Sequence, residues 1–405
     1  MQAIVLAAGE GSRMRPLTSS RPKVMLPAAG KPFIEHLIRR ASRAGITEFV
    51  FVVSYRSESV METFKDGGEL GVRIRYVVQE ERRGTGDALM AAEGAAEDEF
   101  VVINGDVLTD IPSFKKIMDV GGLAVAYKRV CDPSRYGVLE VEGGRLRSVK
   151  EKSPSPPSDL ANAGIYLLDR RIFDVLRDLP LSERGEHELT DGLNSLISMG
   201  SDIRVAEIEE WIEIGRPWDL LAANEELLAI EEYSVLADVE PNATLLGRVS
   251  AGRGTRIRSG SYIEGPVTIG EDCDIGPNSF IRPYSSIGDG VRIGNAVEIK
   301  NSTIMDDTNV AHLSYVGDSV IGSDCNFGAG TIVANLRHDG GDIRSYIRGE
   351  EVSSERRKLG VIMGDDVKTG INTTIYPGTV IESGYRGRPG EILRGWIEVE
   401  RGAEF

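Results

Sequence analysis

Aliphatic side chains return at every sixth position between residues 239 and 299. The series is Val239, Leu245, Ala251, Ile257, Ile263, Ile269, Ile275, Ile281, Ile287, Ile293 and Ile299. A six-residue period differs from that of a helical turn. Glycine follows four of these positions, as in Ile269-Gly270, and glycine tolerates the positive φ that a corner of the chain requires. Short strands joined by tight corners predict a β-helix.

The six-residue series continues beyond residue 299 with two shifts of one residue and one interruption. Its later members are Ile304, Val310 and Val316, then Ile321, Phe327 and Val333, and finally Met363, Thr369, Ile375 and Ile381. The shifts and the interruption disturb an otherwise regular coil. We therefore expect functional groups to be inserted there.

The first half of the chain has a different pattern. Apolar runs at residues 3–7, 49–53, 74–78 and 100–103 alternate with helical spacing, as in Phe33, Ile34, Leu37, Ile38 and Ala41. This pattern predicts βα units on a mostly parallel sheet, whose ligands bind at the carboxyl ends of the strands. Pro217 is expected to open an amphipathic helix that ends near Tyr233. We therefore place one domain at residues 1–234 and a second at residues 235–405.

Composition limits the classes of partner. The 405 residues include 63 acidic and 47 basic side chains, a net charge of −16, which disfavours binding to nucleic acid or to an anionic membrane. The three cysteines Cys131, Cys273 and Cys325 show no disulfide or zinc spacing. No run of apolar residues has the length of a signal or membrane segment. We expect a cytoplasmic protein that acts on small molecules.

A glycine-rich loop follows the first apolar run. Gly9, Gly11 and Ser12 would let backbone N–H groups approach a phosphate chain, and Arg13 and Lys23 would add positive charge. The spacing matches neither a dinucleotide-binding fingerprint nor a Walker A loop. The loop therefore predicts an anion site of another kind.

The string GxGxRxxPxTxxxPKxxLP, spelled by Gly9 through Pro27, resembles the signature of sugar-1-phosphate nucleotidylyltransferases. The resemblance implies catalytic roles for Arg13 and Lys23, and UTP or dTTP as the substrate. It also implies a nucleotide site made of Leu6, Ala8, Gly9, Gly11, Ser12, Gln79, Gly84 and Thr85. In that family the glutamine and the Gly-Thr backbone read the pyrimidine base. The sequence leaves UTP and dTTP as alternatives.

Two carboxylates are candidate ligands of Mg²⁺. Asp106 follows the apolar run at residues 100–103, and the same resemblance assigns it to the metal. Glu213 stands in the motif of residues 211–219, where the family usually has aspartate. Glutamate keeps the negative charge of aspartate, but its side chain is one methylene longer. Because Mg²⁺ demands near-ideal octahedral geometry, the longer side chain is expected to bind the ion less well.

Residues 136–152 have the pattern of a β-hairpin with a Gly143-Gly144 turn. The family resemblance assigns Gly137, Glu151 and Asn162 to the sugar phosphate. One carboxylate and one amide at fixed positions suit a ligand that is rich in hydroxyl groups.

In the β-helix, three hexapeptides make one coil, so residues 18 apart stack at about 4.8 Å. Arg282 and Lys300 have this spacing. Stacked like charges repel, and a bound phosphate would relieve the repulsion. We favour an anion site over a solvated face.

The motifs Val-Glu-Ile-Lys, His-Leu-Ser-Tyr and Asn-Phe-Gly-Ala-Gly resemble the acetyltransferase half of the bifunctional N-acetylglucosamine-1-phosphate uridylyltransferase/glucosamine-1-phosphate acetyltransferases. The block at residues 353–360 is similar to archaeal-type members. The resemblance implies an α/β nucleotidyltransferase fold with a Rossmann-like mixed sheet, followed by a left-handed parallel β-helix of hexapeptide repeats. It also implies acetyl-CoA as a co-substrate and a homotrimer as the assembly.

In this resemblance His312 is the candidate general base, since an imidazole suits proton removal from an ammonium group near neutral pH. The implied substrate-binding residues are Arg282, Lys300, Tyr315, Asn326 and Asn335. Gly341 and Arg344 stand where the family often has a lysine.

Two alternatives remain at this point. In the first, the nucleotidylyltransferase carries a structural or regulatory β-helix, against which His312 and Tyr315 argue. In the second, the chain is a non-enzymatic regulator that binds nucleotide sugars through a decayed site, which Glu213 alone supports. The sequence also leaves the identity of the sugar 1-phosphate open.

Overall fold

The computed structural model describes residues 1–54, 56–81, 83–152, 155–182, 185–230 and 232–399. The chain forms two compact units. The first comprises Met1–Glu10, Pro22–Met25 and Phe33–Glu213, and the second comprises Gly11–Arg21, Leu26–Pro32 and Ile214–Phe405. The division of the chain near residue 235 stays a prediction of the sequence.

The described residues contain seven α-helices. They are α1 (Phe33–Arg43), α2 (Ser57–Phe64), α3 (Thr85–Ala91), α4 (Ile111–Met118), α5 (Arg171–Arg177), α6 (Leu189–Ser198) and α7 (Asp219–Leu228). None of the helices in this part of the chain combines the length and the apolar character that crossing a bilayer requires. The helix expected from Pro217 to Tyr233 is observed as α7 and ends five residues earlier.

Thirteen strands precede residue 214 in the described ranges. They are β1 (Gln2–Leu6), β2 (Pro27–Ala28), β3 (Lys31–Pro32), β4 (Glu48–Val53), β5 (Arg73–Val78), β6 (Glu99–Asn104), β7 (Val107–Leu108), β8 (Ala124–Arg129), β9 (Val138–Glu142), β10 (Arg145–Lys150), β11 (Leu160–Asp169), β12 (Arg204–Glu207) and β13 (Ile212–Glu213). The apolar runs predicted as strands lie in β1, β4, β5 and β6, and the predicted hairpin is β9 and β10.

The first unit is built on a nine-stranded mixed sheet with the order β5-β4-β1-β6-β11-β8-β12-β10-β9. β5, β4, β1 and β6 are parallel, whereas β11 runs antiparallel to β6 and β8. β1, β4 and β6 are apolar along most of their length, as is usual for parallel strands that are covered on both faces. β5, at the edge of the sheet, carries the exposed residues Arg73 and Arg75. The carboxyl ends of β1 and β6 lie side by side, with Leu6 in register with Asn104.

The strands of the second half are short. They are β14 (Asp238–Val239), β15 (Thr244–Leu246), β16 (Val249–Ala251), β17 (Arg256–Ile257), β18 (Tyr262–Glu264), β19 (Val267–Ile269), β20 (Asp274–Ile275), β21 (Phe280–Ile281), β22 (Ser285–Ile287), β23 (Arg292–Asn295), β24 (Glu298–Lys300), β25 (Thr303–Ile304), β26 (Asn309–His312), β27 (Tyr315–Gly317), β28 (Val320–Ile321), β29 (Asn326–Phe327), β30 (Ile332–Val333), β31 (Arg344–Ile347), β32 (Glu350–Ser353), β33 (Ile362–Met363), β34 (Thr374–Ile375), β35 (Val380–Ile381), β36 (Ile392–Leu393) and β37 (Trp396–Ile397).

These strands form the predicted parallel β-helix. As far as β30, every third strand pairs in parallel, and β33 to β37 then extend two of the three sheets. The result is one sheet of six strands, beginning β14-β17-β20, and two sheets of eight, beginning β15-β18-β21 and β16-β19-β22. From Ala251 to Ile299 each member of the six-residue series is at most 2% exposed. Val239, the first member, is 38% exposed.

Strand register confirms both one-residue shifts. Ile281 pairs with Ile299, an interval of 18, whereas Ile287 pairs with Ile304 and Ile304 with Ile321, intervals of 17. Both missing residues fall at the same corner of the coil, between the sheet of β24 and β27 and the sheet of β25 and β28.

Positive φ, predicted for the four glycines that follow the series, is observed at one of them, and the other three have a different structural role. Gly276 has a φ of 101°, but Gly270 and its two other equivalents lack positive φ. A Cβ at Gly270 would lie 2.7 Å from the backbone carbonyl of Gly288 in the next coil. Close stacking of coils therefore requires glycine at Gly270, while Asn and Asp take many of the left-handed corner positions.

Candidate active sites

The tip of β6 brings an acidic and a basic side chain together in the first unit. Gly105 donates its N–H to the carbonyl of Leu6 at 3.0 Å, and a Cβ at Gly105 would stand 3.0 Å from that same oxygen. Glycine therefore lets the chain turn close to the end of β1. Asp106 follows, and its Oδ2 lies 2.5 Å from Lys23 Nζ.

Glu213 lies on the strand next to Asp106. β13 pairs antiparallel with β7, and Glu213 is in register with Val107, the residue after Asp106. Among the described residues no group of three or more metal-binding side chains occurs. Two carboxylates fit Mg²⁺, which usually keeps several waters and binds proteins through one or two carboxylates plus substrate phosphates.

The glycine-rich loop contributes residues to both units. Ala8 is buried in the first unit, and no heavy atom of the described chain lies within 4 Å of a Cβ built on Gly9, so the loop is open there. In the second unit Gly11 has a φ of 66° and precedes a turn that leaves Arg13 exposed.

Ser12, also in the second unit, has a partner that the sequence did not suggest. Its hydroxyl accepts a hydrogen bond from the guanidinium of Arg348, which lies in the turn between β31 and β32. The two residues are 336 positions apart and share no motif, so the sequence offered no reason to pair them.

Gln79 is buried at 4% exposure directly after β5. Its Nε2 donates to Asp87 Oδ2 at 2.7 Å and approaches the carbonyl of Gly84 at 3.5 Å. The amide N–H groups are thus engaged within the protein. Its carbonyl oxygen is left as the group that can accept a hydrogen bond from a ligand.

Gly84 and Thr85 are held by the segment before α6. A Cβ at Gly84, whose φ is 117°, would meet the carbonyl oxygen of His187 at 2.5 Å, so only glycine fits. The Thr85 hydroxyl accepts the N–H of Leu189 at 3.0 Å. The Thr85 side chain therefore has a structural partner, and its contribution to a base site would come from the backbone.

The three predicted sugar residues are neighbours. The Asn162 N–H donates to the Gly137 carbonyl at 2.8 Å, and a Cβ at Gly137 would stand 2.8 Å from Glu151 Oε1. The Asn162 amide donates to the phenol of Tyr166 at 2.8 Å. Burial raises the pKa of Tyr166, and the carboxylates of Glu151 and Asp106 act in the same direction.

The two stacked cations of the β-helix are already neutralised, which corrects the argument made from their spacing. Arg282 Nη1 lies 2.9 Å from Glu298 Oε1, and Lys300 Nζ lies 2.8 Å from Asp318 Oδ2. Each charge has a carboxylate partner, so their mutual repulsion does not require a bound phosphate. The anion site expected at these two cations stays a prediction.

Asp318 connects three of the predicted acetyltransferase residues. It is 2% exposed and accepts hydrogen bonds from Lys300 and, at 2.5 Å, from Asn335 Nδ2. The same Asn335 nitrogen lies 3.0 Å from the Tyr315 hydroxyl. Lys300 is in register with Gly317, at the shortened interval of 17 residues, and Asp318 is the next residue. An acidic residue beside the position that faces Lys300 was therefore the signal available in the sequence.

His312 and Asn326 lie apart from that group. His312 ends β26 and is exposed, and Asn326 begins β29, the next strand of the six-stranded sheet. Lys300 ends β24, which belongs to an eight-stranded sheet. Within one chain, His312 and Lys300 therefore stand at two different corners of the coil.

Comparison with known proteins identifies the family. The bifunctional protein GlmU of Methanocaldococcus jannaschii is 40% identical over 386 residues, covering 95% of this chain and 92% of the relative. A bifunctional sugar-1-phosphate nucleotidylyltransferase/acetyltransferase of Sulfurisphaera tokodaii is 40% identical over 399 residues, 97% of each chain. The chain belongs to this bifunctional family. It is therefore an enzyme of the nucleotidylyltransferase/acetyltransferase type, which confirms the resemblance found in its motifs.

Matches to parts of the chain agree with this family. A nucleotidyl transferase model matches residues 2–230, and a model described as the GMPPB C-terminal domain matches residues 263–384. A crystal structure of a candidate glucose-1-phosphate thymidylyltransferase from Bacillus anthracis, in complex with sucrose, is 32% identical. It covers 55% of this chain and 94% of its own, with a TM-score of 0.51.

Proposed function

We propose that the first half of the chain transfers a nucleotidyl group from UTP or dTTP to a sugar 1-phosphate, N-acetylglucosamine 1-phosphate being favoured, and releases pyrophosphate. The second half N-acetylates glucosamine 1-phosphate, or a similar amino-sugar 1-phosphate, with acetyl-CoA. The observation that carries the first activity is the contact of Lys23 with Asp106 beside Glu213. We assign the first activity to residues 1–234 and the second to residues 235–405.

In nucleotidyl transfer, a phosphate oxygen of the sugar 1-phosphate attacks the α-phosphorus and pyrophosphate leaves, so no covalent enzyme intermediate is needed. Asp106 and Glu213 would hold Mg²⁺, whose charge offsets that of the triphosphate. Arg13 and Lys23 stabilise the charge of the leaving pyrophosphate. Lys23 must then exchange Asp106 for a phosphate oxygen when substrate binds.

Recognition of the two substrates involves separate groups of residues. The nucleotide lies along Leu6, Ala8, Gly9, Gly11 and Ser12, with its base at Gln79, Gly84 and Thr85. The sugar phosphate lies at Gly137, Glu151 and Asn162. The N–H groups of the Gln79 amide are engaged within the protein, so its carbonyl, an acceptor, would suit a base with an N–H donor, which uracil and thymine both carry at N3.

In acetyl transfer, His312 removes a proton from the ammonium group of the sugar, and the free amine attacks the thioester carbonyl of acetyl-CoA. The C–S bond then breaks, the amide forms, and coenzyme A leaves as a thiolate that takes up a proton. Arg282, Lys300, Tyr315, Asn326 and Asn335 bind the substrates. Because His312 and Lys300 stand at different corners of one coil, a complete site requires a second copy of the chain. The protein is thus a homotrimer whose subunits share these sites, and a monomer in light scattering would contradict this.

We place the enzyme in the cytoplasm, where its three free cysteines stay reduced, without nucleic-acid or membrane partners. One experiment tests the two activities together. Purified protein is offered a matrix of nucleoside triphosphates and sugar 1-phosphates, with pyrophosphate release and acetyl-CoA consumption measured in parallel. Pyrophosphate release without acetyl-CoA consumption for any amino-sugar 1-phosphate would favour the alternative in which the β-helix is structural.

A further inference from the structure

The segment that carries Arg13 packs on the β-helix. Gly11–Arg21 belongs to the same compact unit as the β-helix. Met14 is fully buried, whereas Arg13 is exposed. A Cβ at Gly364, in the corner that follows β33, would stand 3.0 Å from Pro16 Cβ. The conformation of this part of the glycine-rich loop therefore depends on the second half of the chain.

An ion pair holds the end of the segment. Arg21 Nη2 lies 3.0 Å from each carboxylate oxygen of Asp365 and 3.2 Å from the Ser323 hydroxyl. Ser20 donates its hydroxyl hydrogen to the same carboxylate. The side chains of Arg21 and Asp365 are 20% and 15% exposed, so the solvent screens their attraction only in part.

Asp365 is itself held by the neighbouring coils. Its Oδ1 accepts the N–H of Ser323 at 2.9 Å, and its own N–H donates to the Ser383 hydroxyl at 3.0 Å. The two serines follow β28 and β35, which flank β33 in its sheet. The carboxylate therefore has a defined position from which it orients Arg21.

The beginning of the segment is held by the insertion of residues 336–358, which contains β31 and β32. Ser12 accepts a hydrogen bond from the guanidinium of Arg348. Arg348 and Gly349 have φ angles of 54° and 81°, and they are the two left-handed residues of the turn between β31 and β32. Asn, Asp and Gly are favoured at the first of these positions, so arginine is an unfavourable choice for the backbone. A function of its side chain would account for that choice.

A hydrogen bond inside the segment joins its two ends. The Thr18 hydroxyl donates to the Gly11 carbonyl at 2.9 Å, and Thr18 is 1% exposed. Met14 donates its N–H to the same carbonyl at 2.8 Å. Because Arg13 lies between these contacts, a change in the position of Arg21 is transmitted to Arg13 and to the N–H groups beside it.

We propose that Asp365 and Arg348 are positioning residues for nucleotidyl transfer, although both lie in the half of the chain that we assign to acetyl transfer. They hold residues 11–21 in the conformation that binds the triphosphate through Arg13 and the backbone N–H groups. A segment that is already ordered loses less conformational entropy when the substrate binds. This role rests on the proposed function, whereas the attachment of the segment to the β-helix does not.

The test compares Asp365→Asn and Arg348→Asn with wild type and with Asp366→Asn. Asparagine keeps the shape of the Asp365 side chain, and it tolerates the left-handed backbone of Arg348. Asp366→Asn is the matched control, because Asp366 is the next acidic residue of the same corner and pairs with Arg386 at 2.6 Å. Thermal unfolding checks that all variants are folded.

Limited proteolysis measures the attachment of the segment without any enzymatic activity. Within residues 11–21 trypsin can cut only after Arg13, because proline follows Arg15 and Arg21. Met14, on the other side of that bond, is buried, so the cut requires local opening of the segment. Its rate then follows the population of the opened form.

We expect Asp365→Asn to accelerate this cut by roughly tenfold or more, since it removes a partly buried ion pair that holds the segment closed. Arg348→Asn should accelerate it to a smaller degree, and Asp366→Asn should match wild type. Mass spectrometry of the fragment 1–13 gives the rates. Equal rates for Asp365→Asn and wild type would overturn the proposal.

Steady-state kinetics of pyrophosphate release separate positioning from loss of folded enzyme. Asp365→Asn should raise KM for the nucleoside triphosphate roughly tenfold and leave KM for the sugar 1-phosphate unchanged. Partial unfolding would instead lower kcat with both KM values unchanged, which would contradict a positioning role. In the Arg13→Ala background the effect of Asp365→Asn on kcat/KM should be smaller than in wild type, because the two residues act on the same contact.

Failure of the proposed function gives a different result. Absence of pyrophosphate release in wild type, with every nucleoside triphosphate and sugar 1-phosphate offered, would contradict that function. The rate of cleavage after Arg13 would still decide whether Asp365 and Arg348 hold the segment.

Discussion

Lys23 Nζ lies 2.5 Å from Asp106 Oδ2, and both side chains are largely shielded from solvent. In this state the lysine compensates the charge of a carboxylate that we assign to Mg²⁺. When Mg²⁺ and a triphosphate bind, Asp106 would exchange Lys23 for the metal ion, and Lys23 would exchange Asp106 for a phosphate oxygen. The ion pair thus keeps both groups in place without substrate.

Asp106→Asn should reduce pyrophosphate release by a hundredfold or more, about 3 kcal/mol of transition-state stabilisation. The amide keeps the shape of the side chain but removes the charge that the metal requires. Initial rates of pyrophosphate release at saturating Mg²⁺ measure the effect. Acetyl transfer by the same preparation should stay at the wild-type rate, which controls for folding.

The role of Glu213 is tested by a pair of substitutions. Glu213→Gln should weaken the apparent affinity for Mg²⁺ during pyrophosphate release, since the neutral amide is a poorer ligand. Glu213→Asp keeps the charge and should retain more activity than Glu213→Gln. If both variants show the same Mg²⁺ dependence as wild type, Glu213 is not a ligand of the metal.

The contact between Gln79 and Asp87 predicts a change in base selection. In Asp87→Ala the Gln79 amide loses the acceptor at 2.7 Å and can rotate. Its N–H groups could then meet the acceptor at N3 of cytosine. We expect the preference for UTP over CTP, measured as a ratio of kcat/KM, to fall by about tenfold. An unchanged ratio would show that the contact with Asp87 does not set the base preference.

His312→Ala should lower acetyl-CoA turnover by roughly 10² to 10⁴, the usual contribution of general base catalysis, while pyrophosphate release stays near wild type. His338→Ala is the matched control, because His338 is also an exposed histidine of the second unit. Normal acetylation by His312→Ala would show that another group accepts the proton.

The cysteines should differ in reactivity. Burial raises the pKa of Cys273 to about 11 and that of Cys325 to about 12, whereas Cys131 is exposed. Only a thiolate attacks a disulfide reagent, so at pH 8 the two buried thiols are protonated and shielded. Titration with dithiobis(nitrobenzoate) should detect one thiol per native chain and all three in denaturant. Rapid reaction of two or more native thiols would contradict the burial of the β-helix core.

Much of the fold could be predicted because its signals are local. The hexapeptide series identifies each inward position of the β-helix, and its intervals of 18 and 17 residues state the strand register directly. The apolar runs of the first half likewise match β1, β4, β5 and β6. Asp106 could be placed at a strand tip because the carboxyl end of an apolar run is visible in the sequence.

The sequence by itself therefore determined the two architectures, the register shifts and the residue types at each candidate site. Only the tertiary structure decided which polar groups meet: Lys300 with Asp318, Gln79 with Asp87, and residues 356–358 of the insertion with the shifted corner of the coil. The physical reason is that inward-facing positions obey a repeat, whereas hydrogen bonds and ion pairs depend on where separate segments pack. The insertion between Asn335 and Leu359 has no sequence period, so the sequence does not predict where its last residues pack against the β-helix.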